Sequence, residues 1–307
     1  MKILFFGRGA IGTQYAWAFE NAGHTVEFYV REGRKNQNGS HVNLEIWDSR
    51  RSKKDQRVKE KWPILTHEEI KDDEGYDLIF LSVNPEQVSS AISFLAPRVG
   101  KATVLFFCHY WQDPQLAVSP IPLGQIVWAL GGGGGFEGNT LYGVLNKTVP
   151  FLSFVPEASK RELEVHKLFI DAGFKIVVHK DAQSWLWNRF AMNVAMEIEV
   201  LKNGSFKSVI TSRQSLAGVG RNMKEIIKVL RAKGSKIDLM TGTIGVLPAK
   251  VVGFMMGSVM SPKGMRYAAV EHNHFKVGYA VREVIADARR YGIKAPRLYA
   301  VEKLIAE

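Results

Sequence analysis

A chain of 307 residues is long enough for about two domains at roughly 150 residues each. Its 46% hydrophobic and 23% charged residues match a globular composition and exclude disordered, collagen-like and fibrous classes. The net charge of +11 sits entirely in the second half: residues 1–150 hold 16 Lys/Arg and 16 Asp/Glu, residues 151–307 hold 25 and 14. Such a half either attracts an anion (a carboxylate, a phosphate, a nucleic acid) or is a solvated lysine-rich face. No nucleic-acid module or basic stripe interleaved with aromatics is apparent, so no nucleic acid is expected. The single cysteine, Cys108, cannot form an internal disulfide, which points to a reducing compartment. The apolar start MKILFF is too short for a signal core, and the apolar run Gly242–Met260 is broken by Pro248 and Lys250. A soluble, cytoplasmic protein without a membrane partner is expected.

In chain order, Lys2–Phe6 reads as a strand, Ala10–Ala22 as a helix stopped by Gly23, and Thr25–Val30 as a second strand. His41–Asp48 and Gln56–Trp62 flank Arg50-Arg51-Ser52-Lys53-Lys54 and read as an exposed hairpin with a solvated, charged turn. Asp77–Val83 and Ala102–Phe107 read as buried strands around a helix, Pro85–Leu95. Continuous apolar strands separated by helices imply a parallel sheet covered on both faces. Residues 126–155 carry short β-type runs around Gly131–Gly135, read as a flexible loop because five glycines hold no single conformation cheaply. A helix over Glu157–Ala172 and a strand over Phe174–Val178 follow. From Asp181 helical patterns take over: Asp181–Leu201, Gln214–Ala232, His272–Tyr291 and Arg297–Ala306. The spacing therefore predicts an α/β fold, a doubly wound parallel sheet domain over 1–181 followed by an all-α domain over 182–307.

Gly7-Arg8-Gly9-Ala10-Ile11-Gly12 fits G-x-G-x-x-G directly after a strand and at the opening of a helix. The first glycine permits a tight turn, the second lets backbone approach a pyrophosphate, and the third lets helix pack on strand. The helix N-terminus then offers free N–H groups and the positive end of its dipole to phosphate. At the end of the second strand, where Asp or Glu would hold the ribose 2′-hydroxyl of NAD, stands Arg31, a permanently charged fork suited to a 2′-phosphate. The expected cofactor is NADP(H), although Glu32 beside it would serve NAD if the loop turns the other way.

Helix Asp181–Leu201 is rich in apolar residues, yet Arg189, Asn193 and Glu197 interrupt it at spacings of four along one face. One reading is a polar stripe lining a substrate cleft; the other is a structural line in which Arg189 bridges to Glu197 or to another carboxylate. His272-x-His274 has the spacing of two metal ligands but no second pair, so no metal is expected. Cys108 beside His109 reads as a buried strand-end residue, not a nucleophile.

The Gly7–Gly12 turn with Arg31, the run Ala172-Gly173-Phe174…Asp181…Trp187-x-Arg189…Asn193, and the later pair Ser258…Glu271 resemble the ketopantoate reductases (2-dehydropantoate 2-reductases) over nearly the whole chain. The resemblance implies a Rossmann-like domain followed by an α-helical substrate and dimerisation domain, NADPH-dependent reduction of a 2-keto acid within pantothenate biosynthesis, and a homodimer as a possible assembly. It implies cofactor contacts by Gly7, Arg8, Gly9, Ala10, Ile11, Gly12, Arg31 and Asn84, and substrate contacts by Asn193, Ser258, Glu271 and His109. Arg189 falls where the family has its catalytic lysine, Asn84 where it usually has a lysine, Cys108-His109-Tyr110 where it has Gln-Asn-Gly, and Glu197 where it has a second asparagine. Arginine polarises a carbonyl and clamps a carboxylate, but its pKa above about 12 makes it a poor proton donor. Arg189 and Glu271 are thus the expected catalytic residues, with His109, Glu271 or a water chain supplying the proton. The alternative is a catalytically silent NADP-binding sensor or partner-binding protein on the same scaffold.

Overall fold

The computed structural model describes residues 1–71, 74–259 and 277–305. These separate into two compact units. The first comprises Met1–Cys108 and Pro114–Lys180; among the described residues the second comprises His109–Asp113, 181–259 and 277–305.

The first unit begins with β1 (Lys2–Phe6), α1 (Ala10–Glu20) and β2 (Thr25–Tyr29), followed by the short α2 (Lys35–Asn38). Then come β3 (His41–Asp48), β4 (Arg57–Pro63), β5 (Thr66–His67), β6 (Leu78–Leu81), α3 (Val88–Leu95), β7 (Thr103–Phe106) and α4 (Pro114–Ala117). The unit closes with β8 (Ile126–Ala129), β9 (Gly133–Glu137), β10 (Thr140–Leu145), β11 (Thr148–Leu152), α5 (Lys160–Asp171) and β12 (Lys175–His179). Eight strands form one sheet in the order β12-β11-β8-β7-β6-β1-β2-β5. All its pairs are parallel except β8 with β11. The order reverses between β1 and β6, the switch point at which such sheets open a crevice beyond their strand ends. Strands β6 and β7 are buried along their whole length, which accounts for their unbroken apolar runs.

A second sheet, β4-β3-β10-β9, lies on the other side of α1, which touches both sheets. That position explains why α1 is buried continuously from Gly12 to Phe19 instead of along one stripe. Its aromatic side chains join those of the large sheet: Tyr15 lies 5.0 Å from Phe107 and 5.4 Å from Phe174, and Phe19 lies 5.0 Å from Phe169, between ring centroids.

Two sequence expectations are corrected here. The hairpin β3–β4 is not a free arm: alternate residues of β3 are buried, because β3 also pairs with β10. Its turn is only partly solvated. Arg50 is drawn inward onto the buried Asp48 (2.8 Å), donates to the Ala172 carbonyl (2.6 Å) and stacks 4.6 Å from the Phe174 ring centroid. Nor is Gly131–Gly135 a flexible loop. Gly133–Gly135 belong to β9, and Gly134 is needed for closeness: a Cβ there would stand 2.7 Å from the Tyr142 carbonyl oxygen and 3.5 Å from the Ala10 Cβ.

The second unit is helical throughout its described residues: α6 (Ala182–Asn203), α7 (Phe206–Ile210), α8 (Arg213–Ala232), α9 (Leu239–Val246), α10 (Ala249–Val259), then helices Tyr279–Arg290 and Pro296–Ala300. Asp181, Ser205, Ser212 and Asp238 each cap a following helix by accepting a backbone N–H, which is why these boundaries fall where they do. Helix α8 is the hub, packed against α6, α9 and α10. The C-terminal helix is tied to it by Arg297, which reaches the Asn222 side chain (2.8 Å) and the buried Glu199 (3.2 Å).

Candidate active site

In the first unit, three chain segments that sequence reading linked to a nucleotide leave the same edge of neighbouring parallel strands: Gly7–Gly12 after β1, Arg31 after β2 and Asn84 after β6. Gly7 adopts a φ of 93°, a left-handed conformation that a side chain would strain, while its N–H bonds the Tyr29 carbonyl (2.9 Å). Gly9 is the extended N-cap of α1; it carries no side chain to cap the helix, and the first turn holds no acid. The helix N-terminus therefore presents its N–H groups and positive dipole end uncompensated. An added Cβ on Gly9 would point within 3.8 Å of the Ser82 carbonyl at the neighbouring strand end, and one on Gly12 would touch the Phe5 ring at 3.5 Å. A bare, positively polarised cradle at the switch point fits a dinucleotide pyrophosphate.

The side chains around the cradle divide. Arg8 turns toward the β9–β10 connection, where it donates to Asn139 Oδ1 (2.9 Å) and lies 4.9 Å from the Phe136 ring, so its backbone is what remains for phosphate. Arg31 is exposed, followed by exposed Glu32 and by Arg34, which donates to Gln37 (2.9 Å). Asn84 opens the turn into α3, its N–H donating to the Gln87 side chain (3.2 Å). Cys108 is buried, its Sγ donates to the Leu81 carbonyl (3.3 Å), and burial pushes its thiol up to about 12; it is no nucleophile near neutral pH.

In the second unit, His109 and Arg189 face each other electrostatically. Burial first, and then the Arg189 cation, push the His109 imidazolium down to about 4. The ring is therefore neutral near pH 7 and is a poor reservoir for a proton. Arg189 Nη2 pairs with Asp238, Nη1 reaches the Met240 sulfur (3.3 Å), and the guanidinium lies 5.4 Å from the Trp185 ring centroid. Burial would raise the Asp238 carboxyl, but the Thr241 contacts at the start of α9, together with Arg189, outweigh it and hold the group below its ordinary value. Fully buried Asn188 sets that loop: it donates to the Ser184 and Lys236 carbonyls (2.6 and 2.8 Å) and accepts from Asp238 N–H (3.3 Å).

The polar stripe on α6 is not uniform. Asn193 is exposed, Arg189 is partly covered, and Glu197 is buried and accepts the Gly278 N–H. Ser258 is exposed on α10, with its hydroxyl donating to the Phe254 carbonyl (3.0 Å). Glu271, His272 and His274 lie outside the described residues. Of the expected substrate residues, His109 feels the Arg189 charge, and Asn193 lies one helical turn beyond Arg189 on α6. Sequence reading missed Asp238, although Asp-x-x-Thr is a helix-start pattern, and it missed Trp111, Lys233 and Asp287, whose meeting has no sequence signal.

Comparison with known families follows this division. Residues 3–109 match the model for ketopantoate reductase PanE/ApbA, and residues 181–307 match that for the PanE/ApbA C-terminal domain. The chain belongs to the ketopantoate reductase family. No curated protein matches it in sequence. In fold it is similar to a 2-dehydropantoate 2-reductase from Geobacter metallireducens, at a TM-score of 0.73 and 16% identity over 99% of each chain. A D-mandelate dehydrogenase solved with NADH and anilino(oxo)acetate gives 0.73 and 15%, over 99% of this chain and 97% of the other. The dimeric ketopantoate reductase of Staphylococcus aureus gives 0.67 and 12%, with the same coverages. As a ketopantoate reductase family member the chain has an oxidoreductase fold, and among its described residues no helix is long and apolar enough to cross a membrane.

Proposed function

We propose that the protein is an NADPH-dependent reductase of a small 2-keto acid. The observation that carries this reading is the uncapped, glycine-lined N-terminus of α1 at the switch point, in a family of oxidoreductases. Gly7, Gly9, Ala10, Ile11 and Gly12 with the Arg8 backbone would hold the pyrophosphate, Asn84 would stand beside it, and Arg31 would meet the 2′-phosphate. The bound cofactor would supply a hydride equivalent to the carbonyl carbon.

Arg189 would polarise the carbonyl oxygen and clamp the substrate carboxylate, with Asp238 holding its guanidinium in orientation. Neutral His109 would offer a hydrogen bond to substrate. The proton for the product hydroxyl would come through Glu271 or water, since neither Arg189 nor a neutral imidazole releases one readily. Asn193 and Ser258 would complete substrate binding. A homodimer is part of this reading, in line with the dimeric Staphylococcus aureus relative.

A second reading, a cofactor-binding protein without turnover, draws on the Arg189–Asp238 pair, which already engages part of the guanidinium. The cofactor half is tested by titrating NADPH and NADH onto wild type and Arg31→Ala. Charge-assisted contacts are worth about 1.5–3 kcal/mol, so wild type should prefer NADPH by roughly tenfold or more and the variant should lose that preference. Equal affinities in wild type would overturn the NADP assignment.

A further inference from the structure

We propose that Lys233 and Asp287 form a positioning clamp that acts through Trp111 to fix the place of His109. Both partners are almost fully buried, with side chains 8% and 6% exposed, and the Lys233 ammonium lies 2.6 Å from Asp287 Oδ2. The same oxygen accepts the Trp111 indole N–H at 2.9 Å. The ammonium also lies 4.9 Å from the Trp111 ring centroid and 4.8 Å from that of Trp187. Phe190 packs on Trp111 at 5.4 Å.

A buried ion pair is a poor way to gain stability, because desolvating two charges offsets most of their attraction and an apolar pair would hold the helices as well. What it provides here is direction. A fixed carboxylate oxygen and a fixed cation specify both the position and the tilt of one indole, which a greasy contact would leave free. That indole belongs to His109–Asp113, a five-residue stretch that packs with the helical unit although the chain on either side of it belongs to the sheet unit. A second tether lies alongside, Gln112 donating to Glu283 (2.7 Å) on the same helix as Asp287. His109, two residues before Trp111, has a buried Nδ1 with no hydrogen-bond partner among the described residues. Its ring therefore inherits its place from the backbone that Trp111 anchors. Among the described residues, the charge that acts on the ring is Arg189, which pairs with Asp238.

Two variants test the clamp in the full chain. Trp111→Phe keeps a ring against Lys233 and Phe190 and deletes only the donor. The double variant Lys233→Met/Asp287→Leu removes the charges at similar volume and covers the case in which the first fails to fold. Following the His109 ring protons by NMR (assigned with His109→Gln), both folded variants should show the titration midpoint rising from about 4 by about one pH unit or more, as the ring loses its buried place. A cooperatively folded variant whose His109 midpoint is unchanged would overturn the clamp. The link to turnover rests on the reductase reading: kcat for a reduced keto acid should fall roughly tenfold in Trp111→Phe while the NADPH dissociation constant stays the same. An unchanged kcat beside a shifted midpoint would overturn the catalytic role. A wild type that reduces no keto acid would overturn the reductase reading and leave the titration to decide the clamp.

Discussion

His109 shows how much one side chain's surroundings change its chemistry. An unfolded chain binds a proton on this ring near the ordinary histidine value of about 6.5, whereas the folded protein does so only near 4. Between those values the unfolded state binds more protons, so stability is complete above about pH 6.5 and declines as pH falls toward 4. The full difference corresponds to roughly 3 kcal/mol. Urea unfolding at about pH 7 and about pH 4.5 should therefore show His109→Gln losing less stability on acidification than wild type. His24 and His166, also pushed down by burial, act alike in both proteins and cancel in the comparison. Identical losses would show that the ring does not sit in the environment described.

At the scale of elements, the close approach of β9 to the backbone of β10 explains a glycine that composition alone misreads. Gly133→Ala meets nothing within 4 Å and should leave stability nearly unchanged, whereas Gly134→Ala forces a methyl against the Tyr142 carbonyl oxygen. Overpacking of this kind costs about 1–3 kcal/mol, and denaturant unfolding of the two variants should separate them by that much. Elements with strong periodicity or caps were legible: β1, α1, β2, α6 and α8 lie within a few residues of their sequence-based limits. The glycine strand was not, because a residue chosen for the absence of a side chain carries no hydrophobic pattern; the reason for it lies in the backbone of β10, which Gly134 meets at Tyr142. Arg50 was misread for a similar cause. A charge run looks solvated until Asp48, Ala172 and Phe174, two of them distant in sequence, close around it.

For the whole molecule, local motifs mark the glycine turn and Arg31 proposed to hold the nucleotide, since both are contiguous with the strands that place them. The Trp111–Lys233–Asp287 cluster of the helical unit is assembled from segments 54 to 176 residues apart, so only the fold reveals it. The central claim, reduction of a 2-keto acid with Arg189 as electrophile and carboxylate clamp, is tested by following NADPH oxidation across a panel of 2-keto acids, ketopantoate included. Wild type should turn over at least one of them. Arg189→Ala should lose kcat/KM on it by an amount equivalent to about 2–4 kcal/mol of transition-state stabilisation, and Arg189→Lys should keep or raise ketopantoate turnover because an ammonium can also deliver the proton. Equal rates for wild type and Arg189→Ala, or bound NADPH that no keto acid oxidises in either wild type or Arg189→Lys, would contradict the account.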